Sequence, residues 1–331
     1  DYLSDKYKKG YSTSLYFGET SGKIRFGGGA EYVSTNFDKD DMGIQFQNHY
    51  HAVYGNLSYR ILKPNKTFNS FSTNMNIYTE FDNNSGRIQS ADFNINVNTT
   101  DKKNDYYGFG INGSPIVTYD FYEPRSPNET RFLAIPQVLN AYVYFSSNYN
   151  RKFALDINPS VGFANEKNRF RYGISFGPRY RFSNKFSMNY NFNFSRQNNN
   201  VGYADTNEAT NQIYMGRRDR VTYTNTLQGK YSINNVMNFN LALRHYWSYA
   251  NYHEYYVLQN DGNLVSDALY TDNRNNNFNT WNLDLSFSWW FAPGSQMSVL
   301  YRNNAGVFET DIQKDFGSNL KKVINHENLD H

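Results

Sequence analysis

The residues best suited to chemistry are few and scattered. His245 lies in LRHYWSYA and Asp284 in NLDLSF, while His253 and Glu254 open a long connection. Hydrolysis needs a histidine held near a carboxylate and within hydrogen-bond reach of a nucleophile. His245 shares the parity of Leu241, Leu243 and Trp247, which in a strand turns it to the apolar side, outward and away from such a grouping. His49 and His51 stand two apart, with Asp38, Asp40 and Asp41 upstream. Two imidazoles on one strand face make half of a transition-metal site, and carboxylate oxygens suit hard cations. The pair lacks a third convergent ligand and the acids lack the spacing of a calcium loop, so both groups read as solvated strand-end and loop residues. No catalytic residue, metal or cofactor is expected.

Two short motifs have structural readings. Gly27 to Gly29 lie within a strand and no helix follows them, so they do not cradle phosphate; they mark a bend or a close approach of backbone. Asn128 to Thr130 match a glycosylation sequon, whose use presumes a eukaryotic secretory route.

Charges on the polar parity form the most functional set. Arg171, Arg179, Arg181, Lys230, Arg244, Asp92, Asp156 and Asp284 all fall there. A cation ring selects permeating anions; because both signs are present, the favoured reading is pairing across strands that fills and stiffens an interior. Aromatic residues placed in loops, Tyr119, Phe121, Tyr122, Tyr203, Tyr255, Tyr256 and Tyr270, are candidates to stack on glycans or grip a partner protein.

Strands must position all of these. In KFSMNYNFNFSR, Phe186, Met188, Tyr190, Phe192 and Phe194 alternate with Ser187, Asn189, Asn191, Asn193 and Ser195, giving one aromatic face and one amide face. The same alternation runs through Phe93, Ile95 and Val97, through Phe153 to Phe163, and through Trp281 to Phe291. Fourteen strands are expected, at about 11–18, 23–35, 49–61, 69–81, 87–99, 105–115, 137–149, 153–163, 170–181, 185–197, 218–231, 236–250, 278–291 and 296–308. Most are 11 to 14 residues long, the length of tilted membrane-crossing strands. Connections alternate between short turns (ETSG, LKPNKT, TDKKN, NYNRK, FSNK, SINNV, FAPGS) and a more variable set. That second set holds the long members, Thr35 to Asn48, Ile116 to Pro136, Asn198 to Arg217 and Asn251 to Asn277. Outer-membrane barrels show this asymmetry of short and long ends.

Composition agrees. Among 331 residues are 30 Tyr, 26 Phe and 49 Asn, yet only 19% are charged, and the mean hydropathy is −0.78. Rings outward and amides inward hide membrane character from an average. A net charge of +3 gives no basic patch for nucleic acid. No cysteine is present, which removes disulfides and thiolate metal sites. No apolar run approaches the roughly 18 residues of a spanning helix, and DYLSDKYKKGYS has no apolar signal core.

Several phrases in order, among them DYLSDKYKKGYSTS, GGGAEYVSTNFDKDDMGI, SYRILKPNKTFNSF, YDFYEPRS, RRDRVTYTNTLQGKYSINN, WNLDLSFSWWFAPGSQMSVLYRNN and KDFGSNLKKVINHENLDH, resemble the C-terminal barrel region of a Bacteroidota outer-membrane family, domain of unknown function 5916. The resemblance implies an upstream carbohydrate-binding-like domain of family 9 type, earlier strands before Asp1 and a closing strand after His331. It brings no established activity to any residue.

The expectation is therefore all-β: an antiparallel transmembrane β-barrel with about 14 strands in this chain, part of a larger barrel, as one partial domain over residues 1–331, ending in a short helix around Phe316 to Asn325. Its partners are the lipid bilayer of the bacterial outer membrane, with glycans or other outer-membrane proteins, and no nucleic acid. Its role is non-enzymatic, anchoring a carbohydrate-binding-like domain or acting in envelope transport or assembly. The alternatives are a TonB-dependent-type transporter and an outer-membrane hydrolase.

Overall fold

The computed structural model describes residues 9–37, 49–127 and 130–326. Asp38, Asp40, Asp41 and Asn128 lie outside them. Fourteen strands form one antiparallel path in sequence order: β1 (Ser12–Glu19), β2 (Ile24–Val33), β3 (Tyr50–Ile61), β4 (Phe68–Asp82), β5 (Ile88–Asp101), β6 (Tyr106–Ser114), β9 (Val138–Ser146), β10 (Phe153–Ala164), β11 (Phe170–Arg181), β12 (Phe186–Asn207), β13 (Gln212–Ser232), β14 (Met237–Leu258), β16 (Asn276–Ala292) and β17 (Ser295–Glu309). The short β15 (Leu264–Ser266) adds to β14, while β7 (Thr118–Asp120) and β8 (Leu133–Ile135) make a separate small hairpin. One helix, α1 (Phe316–Ile324), follows β17.

Period-two patterning explains why these segments pair as they do, since a slip of one residue would exchange the two faces. Phe176 pairs with Phe192, Ile174 with Phe194, and Leu241 with Leu285, so the aromatic face is continuous from strand to strand. It is also uncovered. Leu15, Phe17, Ile24, Val53, Ile77, Phe109, Phe163 and Val299 are each at least half exposed. Glycines permit close approach where expected: a Cβ on Gly27 would lie 2.1 Å from the Tyr16 hydroxyl, and one on Gly29 would lie 2.5 Å from the Leu15 carbonyl oxygen.

The tall strands correct one expectation. Residues 198–217 are largely strand, with β12 and β13 running 22 and 21 residues to a connection at 208–211. The 251–277 stretch likewise begins inside β14, also 22 residues long. Polar side chains at β-bulges near Asn200, Asp205 and Arg218 hid the continuation, because a bulge breaks strict alternation.

The segment between β6 and β9 crosses toward these tall strands. Leu133 packs with Val201, Ile213, Met215 and Leu258, and Arg131 donates from Nη2 to the Leu258 carbonyl at 2.6 Å. Arg87, just before β5, lies 4.4 Å from the Phe132 ring centroid, and a Cβ on Gly262, beyond β14, would touch the same ring at 2.8 Å. In a flat sheet β5 and β14 would be about 34 Å apart, at roughly 4.8 Å per strand. Curling of the sheet and lean of the tall strands close that gap.

Candidate functional site

Helix α1 covers a polar island on the aromatic face. Asp315 caps it, accepting from the Ser318 amide at 2.6 Å, and Lys321 and Lys322 sit in its last turn, where cations complement the helix dipole. Val323 packs with Ala305 and Val307, and Phe316 lies beside Tyr223, His245 and Trp247. Beneath, hydrogen bonds form a directed chain. Tyr190 donates to Asn225 Oδ1 at 2.6 Å, Asn225 Nδ2 to His245 Nδ1 at 3.5 Å, His245 Nε2 to Asn279 Oδ1 at 2.9 Å, and Asn279 Nδ2 to the Asn319 carbonyl at 2.6 Å. This direction assigns the proton of a neutral imidazole to Nε2. Trp247 Nε1 donates to Asn277 Oδ1 at 2.7 Å, and Asn277 Nδ2 to Asn319 Oδ1 at 3.1 Å.

His245 thus keeps the parity read from sequence, but it is 1% exposed under α1 rather than outward and open. Asp284 is on the opposite face, where Arg302 grips it at 2.7 and 3.1 Å, so the two do not meet. His49 precedes β3 with a φ of 52° and approaches Asp82 at 3.6 Å. His51 instead contacts Asn83 Oδ1 at 2.8 Å and stacks on Phe81. The two histidines do not share a strand face, and no cluster of three metal-ligating side chains occurs among the described residues.

The amide face carries a transverse row. Asn56, Asn76, Asn94, Asn112 and Asn140 are successive cross-strand partners on β3, β4, β5, β6 and β9. Asn140 Nδ2 donates to Asn112 Oδ1 at 3.0 Å, and Arg171 Nε donates to Asn140 Oδ1 at 2.8 Å. Each amide offers donors and acceptors without charge, so the row gives a wall suited to water and neutral polar groups.

The charged candidates divide on this face. Arg179 lies 4.0 Å over the Tyr149 ring, Arg181 Nη2 reaches the Tyr149 carbonyl at 3.5 Å, and the Tyr149 hydroxyl donates to Asp156 at 2.6 Å. Asp92 accepts from Ser90. Arg171, Lys230 and Arg244 have no carboxylate partner among the described residues. Pairing across strands therefore holds for Asp284 with Arg302, and not for the set as a whole. Arg302 and Tyr149 were missing from the sequence reading because only register and turn geometry bring them to Asp284 and Asp156. Arg220 was within reach of it, since it shares the parity of Lys230 in the expected strand at 218–231.

The aromatic residues expected in loops take several places in the fold. Tyr203, Tyr255 and Tyr256 belong to β12 and β14 rather than to loops. Tyr255 and Tyr214 pack on Tyr270 at 4.7 and 4.4 Å, and burial pushes the Tyr270 hydroxyl up to about 12. Tyr203 lies under Arg125, at 4.5 Å. Phe121 is buried against Phe132. Tyr119 and Tyr122 line a cleft of about 540 Å³ with Tyr78, Glu80, Ser90 and Asp120.

A second cleft, of about 600 Å³, lies at the tall strands. Glu166, Arg217, Asp219, His253, Glu254 and Tyr256 line it, and no serine or threonine does. Arg217 and Arg169 both bind Glu166. Burial acts to raise the Glu166 carboxyl, and the two guanidinium groups outweigh it, holding the group below the usual carboxylate range.

Fold and faces together define an all-β antiparallel meander with one apolar face and one amide face. The family model described as Domain of unknown function (DUF5916) matches residues 2–331, so the chain belongs to that family. No curated protein and no solved structure matches it.

Proposed function

We propose that this chain is the membrane-embedded β-barrel region of an outer-membrane protein, acting in envelope transport or assembly or anchoring a carbohydrate-binding-like domain, with no catalytic centre of its own. The uncovered aromatic face carries this reading. Exposing one large apolar side chain to water costs about 1.5–3 kcal/mol. The eight named above, with others on nearly every strand, make one contiguous apolar face far larger than the patches a soluble monomer leaves in water. Lipid acyl chains remove the cost, while the amide face surrounds a hydrated interior, as in barrels of this kind. The polar island under α1, the upper parts of β12, β13 and β14 next to the 208–211 connection and the segment between β6 and β9 then belong to the end with the long connections, outside the hydrocarbon layer.

Membrane fractionation and lipid quenching of the full-length protein test this. The protein should stay with outer membranes through a carbonate wash and need detergent for extraction. Brominated acyl chains should quench its tryptophan emission, less so in Trp289→Phe than in Trp247→Phe, because Trp247 is sealed beneath α1. A monodisperse protein in detergent-free buffer sinks the membrane reading in favour of a sheet covered by other protein.

A further inference from the structure

We propose that Arg171 and Arg220, flanking Gln197 on the amide face, form a binding subsite for an oxyanion, the carboxylate or phosphate of a small polar solute. The three residues are successive cross-strand partners on β11, β12 and β13. Two strand spacings put their outer members roughly 10 Å apart, so both long side chains reach a common anion.

Arg171 is held in place. Its Nε donates to Asn140 Oδ1 at 2.8 Å, and Asn140 is itself anchored on Asn112 at 3.0 Å. Gly162 makes the arrangement possible, because a Cβ there would stand 2.2 Å from Asn140 Oδ1 and 2.8 Å from Arg171 Nε. With Nε engaged, the two terminal nitrogens find no acceptor among the described residues. A planar fork with two free N–H groups matches the two oxygens of a carboxylate or phosphate.

The surroundings favour an anion as well. A groove of about 220 Å³ runs beside Arg171, lined by Asn112, Asn140, Tyr142, Ser160, Ser195 and Gln197 among others, with no carboxylate in its lining. Arg220, like Lys230 and Arg244 on the same face, has no carboxylate partner among the described residues. Other acids on this face lie farther off or are already engaged: Glu31, Glu80 and Asp92 stand on β2, β4 and β5, Asp156 on β10 accepts from the Tyr149 hydroxyl, and Asp284 on β16 is held by Arg302. The hydroxyls and amides along the groove would then hold the uncharged body of the solute.

The subsite rests on the amide face being open to solutes, whether or not the opposite face meets lipid. Calorimetric titration of the purified full-length protein with glucuronate, glucose and inorganic phosphate tests it. Glucuronate should bind, glucose at least roughly tenfold more weakly, since one charge-assisted bidentate contact is worth that factor or more. Phosphate displacing glucuronate assigns the site to oxyanions in general; glucuronate binding undisturbed by phosphate assigns it to carboxylates. Arg171→Gln and Arg220→Gln should each weaken glucuronate by roughly tenfold. Gly162→Ala should weaken it too, while Lys322→Gln, which breaks an ion pair with Glu309 at helix α1, should not. If Arg171→Gln fails to fold, Arg171→Lys keeps the charge and loses the fork, and native affinity in that variant overturns the bidentate site. Equal binding of glucose and glucuronate, or no binding of either anion, overturns the proposal outright. A protein that is soluble without detergent contradicts the membrane reading alone, because the same titration then runs in plain buffer.

Discussion

Glu166 shows how a single residue ties the tall strands to their neighbours. It sits in the turn between β10 and β11 and is held by Arg169 on one side and Arg217 of β13 on the other. A carboxylate whose folded pKa lies below its unfolded value, roughly 4.3 for glutamate, contributes stability that is present above the unfolded value and lost as pH falls through the folded one. Acid should therefore loosen this contact below about pH 4. Hydrogen exchange followed against pH should show residues 165–169 and the start of β13 losing protection in that window. Glu166→Gln should exchange faster at neutral pH and show no such acid step; a step unchanged in the variant would assign it to another group.

Helix α1 acts at the scale of an element, as a lid over polar groups on a face otherwise built for an apolar surrounding. Asn319 is its key, bonding Asn277 through Oδ1 and Asn279 through its carbonyl while its own Nδ2 holds the backbone at Gln313 and Asp315. A buried polar group stripped of its partner costs about 1–3 kcal/mol. Asn319→Ala should lower stability by that amount and raise exchange in α1 and at the start of β16, with β1 to β6 unchanged. A uniform loss across the sheet would mean that α1 is not a separable element.

Across the whole molecule, charge and closure are organised together. Cations without a carboxylate partner among the described residues stand on β11, β13 and β14, at Arg171, Arg220, Lys230 and Arg244, while Asp156 and Asp284 on the same face are held by Tyr149 and Arg302. The segment between β6 and β9 bridges toward the tall strands, latched by Leu133 in its apolar cluster and by Arg131 on β14. On the proposed barrel reading this bridge narrows the passage. Leu133→Asp puts a charge into the cluster and should release it, raising single-channel conductance in planar bilayers several-fold over the native protein. Equal conductance would show that the bridge does not limit flow.

Strand number and facing were legible in the residues themselves. Fourteen segments alternate rings with amides, and a period of two is a local property that needs no partner to be read. A short terminal helix was expected around Phe316 to Asn325, and the structure forms it with Asp315 as its cap. What only the tertiary structure decided depends on register, bulges and long-range packing. His245 has the parity of a residue facing an apolar medium, but α1 returns from beyond β17 to cover it. Asp284 and Arg302 meet because β16 and β17 pair in one register, and Tyr149 reaches Asp156 through a turn. Bulges let β12 to β14 continue where polar residues suggested loops. Alternation gave each side chain its face; which neighbour it meets there was settled only when strands far apart in sequence came together.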